Sequence, residues 1–413
     1  MVASVEADVD PLDLVRSGAS SFGTAAFVSS PEGTRVGGLG AAGQERAAGP
    51  ERMRRIGRFV AGAAEGIPIL IGFGYHRDDP VAPEWSGFPS SWAVVPQISV
   101  LRRAGTSRLV VAAPPGVDPT SVLAALAALP APGRPDVPRA ETTSLVLQPP
   151  LESWRNAVAR AAAAAASGLI EKVVLARSVH LKVGTPMDAF DAVALLADRH
   201  PGSRVFGWQS GERTFVGASP ELLVAVDGTR FRTEALAGSA PRGDGPDRDG
   251  WLADRLLASA KDRLEHAIVV DEMVRRLGPL AEVVEAPPDP VVRRHATVQH
   301  LVTPIAGRTS ATVLDLADAL HPTPAVGGHP APEALAYQEE LESIERGWYT
   351  GAIGWAEAAG DGEFTVALRC ALITGDQAIL YVGNGIVAAS DPDTEVEETR
   401  IKLRPMLDLL GGG

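Results

Sequence analysis

The chain has 413 residues, of which 45% are hydrophobic and 22% are charged, enough for one large globular domain or two smaller ones. Its 51 acidic residues outnumber its 38 lysines and arginines and give a net charge of −13. That charge argues against nucleic acids and anionic membranes as partners, because both require a cationic surface. It also repels anionic small molecules at long range, so a site for such a molecule would need local cations or a metal ion.

Neither the cysteine content nor the apolar segments point to export. The single cysteine, Cys370, excludes a disulfide framework and a zinc site built from cysteines. Residues 1–15 are acidic and lack the basic and apolar regions of a signal peptide. Glu65, Pro68 and several glycines interrupt the most apolar stretch, residues 59–75. We therefore expect a cytoplasmic protein with no membrane span.

The chain divides into three predicted parts that differ in composition and in the length of their predicted elements. Residues 1–128 alternate short apolar strands with glycine-rich turns and predict an N-terminal α+β part of the fold. Residues 129–150 carry six prolines and predict a linker or an extended crossing segment. Residues 151–410 have longer and clearer elements and carry most of the chemically distinctive side chains.

Hairpins dominate over strand–helix–strand crossovers in the third part, so the predicted fold class is α+β with large antiparallel sheets. Its predicted elements are a helix over 153–168 capped by Ser153, a strand over 172–179, a helix over 188–199, strands over 204–210 and 213–219, a hairpin through Asp227-Gly228, one long helix over 248–277, strands over 349–358, 363–375 and 377–387, and a helix over 393–410.

Residues 171–179, EKVVLARSV, place a charged residue in an apolar strand. Read with period two, Lys172 shares a face with Val174 and Ala176, where core residues are expected. One interpretation is that the stem is buried, the ammonium reaches water and no chemistry follows. A chemical role for this lysine would need support from the rest of the chain.

Glu221 follows a Ser-Pro turn and leads an apolar stripe with Leu223 and Ala225. An exposed turn residue is one interpretation. A carboxyl at the edge of an apolar stripe would instead have a pKa raised by desolvation, as a general acid needs.

Two glycine-bearing loops could contribute to a small-molecule site. In residues 233–243, TEALAGSAPRG, the backbone N–H groups of Gly238 and Ser239 could bind a carboxylate, although an ordinary flexible loop is the alternative. Residues 321–330, HPTPAVGGHP, form a stiff loop of the kind that walls a pocket. His300 precedes an apolar run, where a lone histidine is usually structural.

Two predicted helices carry glutamates that could face a common site. Glu265 lies on a mixed helical stripe, and Glu395, Glu398 and Lys402 project together from the last helix. Glutamates from separate helices, without a cluster of histidine or cysteine, suit Mg²⁺. Ion pairs on a wet helix surface are the alternative.

Arg369 lies in the apolar segment VALRCALI, where an unpaired guanidinium would cost free energy. An anionic partner is therefore expected beside it.

Taken in order, the segments of the third part resemble the chorismate-binding enzymes, most closely the isochorismate synthases. The resemblance covers about residues 151 to 410. Residues 1–150 match only in their general pattern of short strands and glycine-rich turns. It is carried by EKVVLAR, GASPELL, ALAGSAPRG, KDRLEH, QHLVTPIAG, LHPTPAVGG, ERGWYTGAIG, VALRCALI, YVGNGIV and EVEETRIKLRPM.

The resemblance implies an α+β fold of two large, mainly antiparallel sheets packed centrally, with helices outside and the active site at their junction. It implies Mg²⁺-dependent addition of water at C2 of chorismate with loss of the C4 hydroxyl. By position, Lys172 is the general base and Glu221 the general acid. Glu265 and Glu398 bind the metal, with Glu395 as a helper. Substrate binding falls to Gly238, Ser239, His300, Ala325, Val326, Tyr349, Leu368, Arg369, Tyr381, Gly383 and Lys402.

Related activities remain as alternatives. A salicylate synthase performs the same hydration and then eliminates pyruvate, and relatives of that kind carry a threonine at the position of Val326. Enzymes that stop at isochorismate carry an aliphatic residue there, usually leucine. Relatives that use ammonia depend on a glutaminase partner, and those making anthranilate lack a lysine at the position of Lys172. A binding protein without catalytic activity is the third alternative.

We therefore expect chorismate as the substrate, no glutaminase partner, no nucleic acid or membrane partner, and a monomer. The product would feed menaquinone, siderophore or salicylate biosynthesis.

Overall fold

The computed structural model describes residues 2–136, 142–294 and 298–411. Strands and helices alternate along the described chain, with hairpins frequent. Its strands are β1 Val2–Glu6, β2 Thr24–Ser29, β3 Arg35–Leu39, β4 Gly43–Ala47, β5 Ile69–Phe73, β6 Ser91–Val95, β7 Ile98–Arg103, β8 Thr106–Ala112, β9 Thr142–Gln148, β10 Lys172–Val183, β11 Arg204–Ser210, β12 Arg213–Ser219, β13 Leu222–Asp227, β14 Arg230–Pro241, β15 Ala281–Glu285, β16 Val291–Arg294, β17 Val298–Thr309, β18 Gly328–His329, β19 Ala352–Ala356, β20 Gly362–Val366, β21 Cys370–Thr374 and β22 Gln377–Ile386.

The helices of the described residues cover the outer faces of the sheets. They are α1 Pro11–Phe22, α2 Arg52–Ala61, α3 Pro119–Ala127, α4 Leu151–Ala166, α5 Ala189–Arg199, α6 Pro246–Ala258, α7 Ala260–Leu277, α8 Val313–Leu320, α9 Ala331–Leu341 and α10 Pro392–Leu410. No helix in these parts of the chain is long and apolar enough to cross a membrane.

The strands form two large antiparallel sheets. The first has twelve strands within the described residues, in the order β1-β8-β7-β3-β2-β11-β12-β21-β22-β10-β18, with β9 paired to β10. The second has ten, in the order β15-β17-β14-β13-β20-β19-β5-β6-β4, with β16 paired to β17. The α+β class with large antiparallel sheets is confirmed. Residues before 129 supply strands to both sheets.

Apolar side chains fill three layers because each sheet buries both of its faces. An aromatic cluster lies between the sheets and includes Trp92, Trp208 and Trp348. A second cluster joins the first sheet to α1, α5 and α10, and a third joins the second sheet to α2, α7 and α8. The helices are therefore outside and the two sheets meet at the centre.

Local turn signals predicted several elements well. The Asp227-Gly228 hairpin is present, with Ala225 opposite Arg232 and Gly228 at φ 58°. The predicted cap of α4 is wrong, because the helix begins at Leu151 and Pro150 precedes it, so Ser153 lies inside the first turn.

The strand predicted over 363–375 is also wrong, because β20 belongs to the second sheet and β21 to the first. The chain leaves one sheet and enters the other at residues 367–369, where Arg369 has φ 50°.

Candidate active site

A cavity of about 330 Å³ opens where the two sheets meet α7 and α10. Strands β10 and β22 of the first sheet and β14 and β17 of the second contribute to its wall. Every residue that the sequence assigned to a site lies on this wall. They are Lys172, Glu221, Gly238, Ser239, Glu265, His300, Ala325, Val326, Tyr349, Leu368, Arg369, Tyr381, Gly383, Glu395, Glu398 and Lys402.

Strand alternation explains how Lys172 reaches this cavity. Val173 and Leu175 pack against the helices α4 and α9, while Ala176 joins the aromatic cluster between the sheets. Lys172 and Val174 share the inward face with Ala176 and line the cavity at its end. The lysine side chain is 2% exposed, so the interpretation in which its ammonium reaches bulk water is wrong.

The Lys172 ammonium lies 2.8 Å from the Glu265 Oε1 atom. Its surroundings are therefore not purely apolar. The neighbouring strand makes room for this pair with Gly385, where a Cβ atom would lie 2.5 Å from the Lys172 Cε atom. Sequence reasoning missed Gly385, whose signal was its spacing of two from Gly383 on one strand.

Glu221 lies between β12 and β13, after the turn at Ser219 and Pro220. Its backbone N–H donates to the Ser219 Oγ atom at 3.2 Å, and its carbonyl accepts from the Thr365 hydroxyl at 2.7 Å. The residue is 2% exposed, so it is not an exposed turn residue. The backbone contacts hold the carboxyl at a fixed place on the wall.

Burial raises the pKa of Glu221 to about 8. The nearby Lys172 charge opposes this shift, and the Glu234 charge adds to it. Glu221 is therefore protonated at neutral pH and can donate a proton. The raised pKa predicted from the apolar stripe is present in the structure.

The helix predicted over 248–277 is two helices. Ser259 has extended backbone angles and caps α7 by accepting a hydrogen bond from the Asp262 N–H at 3.2 Å. After this break α7 begins as a separate helix, and its residues Asp262 and Glu265 lie on the cavity wall. Asp262 was missed, although its position one turn before Glu265 is a helical signal.

Gly238 lies at a bulge between β14 and β17 and has φ 77°. A Cβ atom there would lie 3.2 Å from the Asp262 Cβ atom, so glycine allows α7 to approach the strand. One residue further, Ser239 pairs across the strands with His300, and its Oγ atom is 2.8 Å from the His300 Nδ1 atom. His300 is 2% exposed, as expected of a histidine that organises the wall.

Helix α10 brings two glutamates and one lysine to the cavity. The Lys402 ammonium lies 2.6 Å from the Glu398 Oε1 atom and donates to the Gly383 carbonyl at 3.1 Å. The Glu395 carboxylate accepts from the Asn384 side chain at 2.9 Å. Neither the motifs nor the period assigned Asn384 to the site.

The carboxylates of Glu265, Glu395 and Glu398 are suited to a hard cation. Within the described residues, no group of three or more histidine, cysteine, aspartate or glutamate side chains is arranged to hold a metal ion. Mg²⁺ usually binds through one or two carboxylates and keeps waters or substrate oxygens as its other ligands. Glu265 on α7 and Glu395 and Glu398 on α10 bring carboxylates of this kind to a wall that also carries Lys172, Lys402 and Arg369.

Arg369 supplies a cation on another side of the cavity. Its Nη1 atom is buried and has no hydrogen-bond partner among the residues that the structure describes. Burial lowers the pKa of Arg369 to about 10, so the guanidinium stays charged at neutral pH. A buried and charged guanidinium of this kind is suited to bind an anion.

Tyr349 and Tyr381 form an aromatic wall near Arg369. Their rings stack with centroids 5.5 Å apart and planes at 19°. Gly383 lets the strand pass close to this pair, because a Cβ atom there would lie 3.0 Å from the Tyr349 hydroxyl. Leu368 completes this part of the wall.

The loop with Ala325 and Val326 is tied to β10 by buried side chains. Arg346 donates to the Val326 carbonyl at 2.9 Å and to the Val174 carbonyl at 2.7 Å. Gln338 donates to the Gly327 carbonyl at 2.6 Å. Val326 is 3% exposed and therefore forms a fixed apolar surface in the cavity.

Comparison with known sequences identifies the family. The profile of the family described as chorismate binding enzyme matches residues 1–411. The chain belongs to the chorismate-binding enzymes. The match extends to the first 150 residues, which resembled the family only in their general pattern of short strands and glycine-rich turns.

The chorismate-binding enzymes most similar to this chain include isochorismate synthases. The chain is 35% identical over 431 residues to isochorismate synthase MenF of Bacillus subtilis, covering 98% of this chain and 92% of the relative. It is 37% identical over 349 residues to the salicylate biosynthesis isochorismate synthase of Pseudomonas aeruginosa, covering 82% of this chain and 73% of the relative.

Solved structures of this family share the fold. MenF, the menaquinone-specific isochorismate synthase from Escherichia coli, superposes with a TM-score of 0.86 at 24% identity, covering 99% of this chain and 94% of the other. Anthranilate synthase component I from Streptococcus pneumoniae superposes with a TM-score of 0.76 at 21% identity, covering 92% and 93%. These likenesses confirm the two-sheet fold expected from the resemblance.

Proposed function

We propose that this chorismate-binding enzyme is an isochorismate synthase, which adds water at C2 of chorismate and releases the C4 hydroxyl. The observation that carries the proposal is that one cavity holds both a buried lysine and a buried, protonated carboxyl group. Lys172 and Glu221 reach it from different elements, both are 2% exposed, and Glu221 is protonated at neutral pH because its pKa is raised to about 8.

The two residues supply the proton transfers that the reaction requires. Lys172, as the neutral amine, accepts a proton from the attacking water while the oxygen–C2 bond forms. The ring double bonds shift, the C4–oxygen bond breaks, and Glu221 gives its proton to the departing hydroxyl, which leaves as water. The atoms balance, since one water enters and one leaves and the product is an isomer of the substrate.

Local cations explain how a protein of net charge −13 binds a dianion. Arg369, beside Tyr349, Tyr381 and Gly383, would hold the enolpyruvyl carboxylate. The ring carboxylate would lie near Gly238, Ser239 and Lys402. A small number of cations inside a walled cavity can outweigh the long-range repulsion of the acidic surface.

Magnesium would be held by Glu265 and Glu398, with Glu395 in support. When bound it would supply positive charge to neutralise the substrate carboxylate. Lys402 and Arg369 are cations that the chain itself adds to the same wall.

The relatives named isochorismate synthase support water, and not ammonia, as the nucleophile. Relatives that make anthranilate lack a lysine at the position of Lys172. Since ammonia-using relatives depend on a glutaminase partner, we expect none here. Salicylate synthesis is the second candidate, because it begins with the same hydration. The aliphatic Val326 on the wall favours release of isochorismate.

Product analysis tests the assignment. The purified protein is incubated with chorismate and Mg²⁺, with and without ammonium salt, and the products are separated by liquid chromatography. We expect isochorismate to accumulate toward equilibrium with chorismate. Anthranilate, or salicylate and pyruvate in equal amounts from the first time points, would contradict the proposal, as would no turnover by folded, metal-loaded protein.

A further inference from the structure

A buried amide lies between the strand β22 and the helix α10. Asn384 is 1% exposed and pairs across the strands with Leu175. Gly383 and Gly385 face the cavity, so Asn384 points to the other side of the strand, where Leu175 and Ile386 belong to an apolar cluster. A polar side chain in such a place costs free energy unless its hydrogen bonds are made.

Both ends of this amide bind charged residues of α10. The Nδ2 atom donates to the Glu395 carbonyl at 2.8 Å and to the Glu395 Oε2 atom at 2.9 Å. The Oδ1 atom accepts from the Lys402 ammonium at 2.9 Å. The partners fix the orientation of the amide, because an ammonium can only donate and the Glu395 oxygens accept.

The Lys402 ammonium is shared between the strand and the helix. Two of the acceptors of the ammonium belong to the strand, namely Asn384 Oδ1 and the Gly383 carbonyl, and one is the Glu398 carboxylate. Glu395 lies two helical turns before Lys402, on the same face of α10. The amide therefore bridges the Lys402 ammonium and the Glu395 carboxylate.

We propose that Asn384 is a positioning residue that anchors Lys402 to the strand, so that this lysine gives only one N–H group to the carboxylates of α10. With an apolar residue at 384, the ammonium would turn toward Glu395 and Glu398 together. It would then compete with a divalent cation for their oxygens. This inference rests on the proposed function for the identity of the cation and for the role of the two glutamates.

Calorimetric titration of Mg²⁺ into the protein without chorismate tests this inference. Asn384→Ala and Asn384→Leu should each raise the dissociation constant for Mg²⁺ about tenfold, the usual scale for residues that orient metal ligands. The alanine variant leaves a small space and no overpacking, so it keeps the test available if the leucine variant does not fold. A dissociation constant within twofold of wild type for the folded variants would overturn the proposal.

A second background separates positioning from general damage to the fold. In Lys402→Met protein, Asn384→Ala should change Mg²⁺ binding less than about twofold, because the competing ammonium is gone and the two effects are coupled. Ile386→Val, on the same strand face, is the matched control and should leave Mg²⁺ binding unchanged in both backgrounds. An equal loss with and without Lys402 would show that Asn384 acts only on the fold.

The readout also separates this inference from the proposed function. Wild-type protein that binds Mg²⁺ but does not convert chorismate would defeat the proposed function while the calorimetric comparison still decides the role of Asn384. An active wild type whose Mg²⁺ binding is unaffected by Asn384→Ala would overturn only the positioning role. Wild-type protein that binds no Mg²⁺ would overturn it as well.

Discussion

The Lys172 ammonium and the Glu265 carboxylate lie 2.8 Å apart, one on strand β10 and the other on helix α7. The residue proposed as general base thus contacts a residue proposed as metal ligand. Both are held away from bulk water, the lysine at 2% and the glutamate at 14% exposure of their side chains. The proposed base and the proposed metal ligand are therefore in direct contact in the cavity.

Replacement of the proposed base should abolish most of the activity. Lys172→Ala is expected to lower kcat at least about 100-fold, the usual contribution of a positioned acid or base, with a smaller change in KM. The measurement is initial-rate kinetics of isochorismate formation.

Lys182→Ala offers a matched control for that variant. Lys182 lies on the same strand but its side chain is 52% exposed and paired with Asp376. Its removal should leave kcat unchanged. Near-normal activity of Lys172→Ala would show that Lys172 is a structural partner of Glu265.

The raised pKa of Glu221 predicts opposite effects of Glu221→Gln on rate and stability. The variant cannot donate a proton, so kcat should fall at least about 100-fold. For the wild type, kcat should decline as the pH rises through about 8, where Glu221 loses its proton. A pH–rate profile of the wild type and the variant measures both.

The stability effect follows from the protons bound by each state. Between the ordinary value of 4.5 and about 8, folded Glu221 keeps a proton that the unfolded chain releases, so stability falls as the pH rises. Glu221→Gln removes that loss and should be more stable by on the order of 3 kcal/mol at pH 7, with no difference near pH 4. Glu212→Gln, at an exposed turn, should match the wild type in thermal unfolding. A Glu221→Gln variant that is less stable at pH 7 would contradict the raised pKa.

The parts of the site that local patterns define were predictable. Period two put Lys172 on the inner face of its strand, and the helical period put Glu395, Glu398 and Lys402 on one face of α10. Asp227-Gly228 fixed its hairpin because the turn needs little beyond its own residues.

The remaining features depend on contacts between distant segments. The break at Ser259 and the change of sheet at Arg369 interrupt patterns that look continuous, because the surrounding packing decides where each element ends. Gly385 and Asn384 acquire their meaning only when β22 lies beside Lys172 and α10. Spacing along the strand puts Gly385 on the same face as Gly383, but it does not reveal that the Lys172 side chain lies beside it.

Removal of divalent cations should stop turnover. We expect EDTA to abolish isochorismate formation and added Mg²⁺ to restore it, because the proposed ligands Glu265 and Glu398 face the substrate cavity. Glu398→Gln should raise the half-saturating Mg²⁺ concentration at least about tenfold. Glu397→Gln is the control, since the neighbouring side chain is 63% exposed and pairs with Arg400. Full activity in metal-free buffer would exclude a role for the cation.

Val326 is expected to govern which product is released. Its side chain lies on the cavity wall, and its backbone is fixed by the Thr323 carbonyl and by Arg346. A hydroxyl at this position could hydrogen-bond the lysine or a water and change how isochorismate is held for loss of pyruvate. Val326→Thr should therefore raise the share of salicylate and pyruvate, measured by chromatography over a time course at neutral pH.

The matched control at this position is Val326→Leu, which keeps the wall apolar and adds one methylene. Valine leaves the wall slightly retracted compared with leucine, so wild-type enzyme should form salicylate only as a minor late product. The leucine variant should form less. Because Val326→Thr changes polarity at nearly constant volume, a rise in salicylate with threonine and not with leucine assigns the effect to the hydroxyl. The same salicylate share in all three proteins would place the control of pyruvate elimination elsewhere in the cavity.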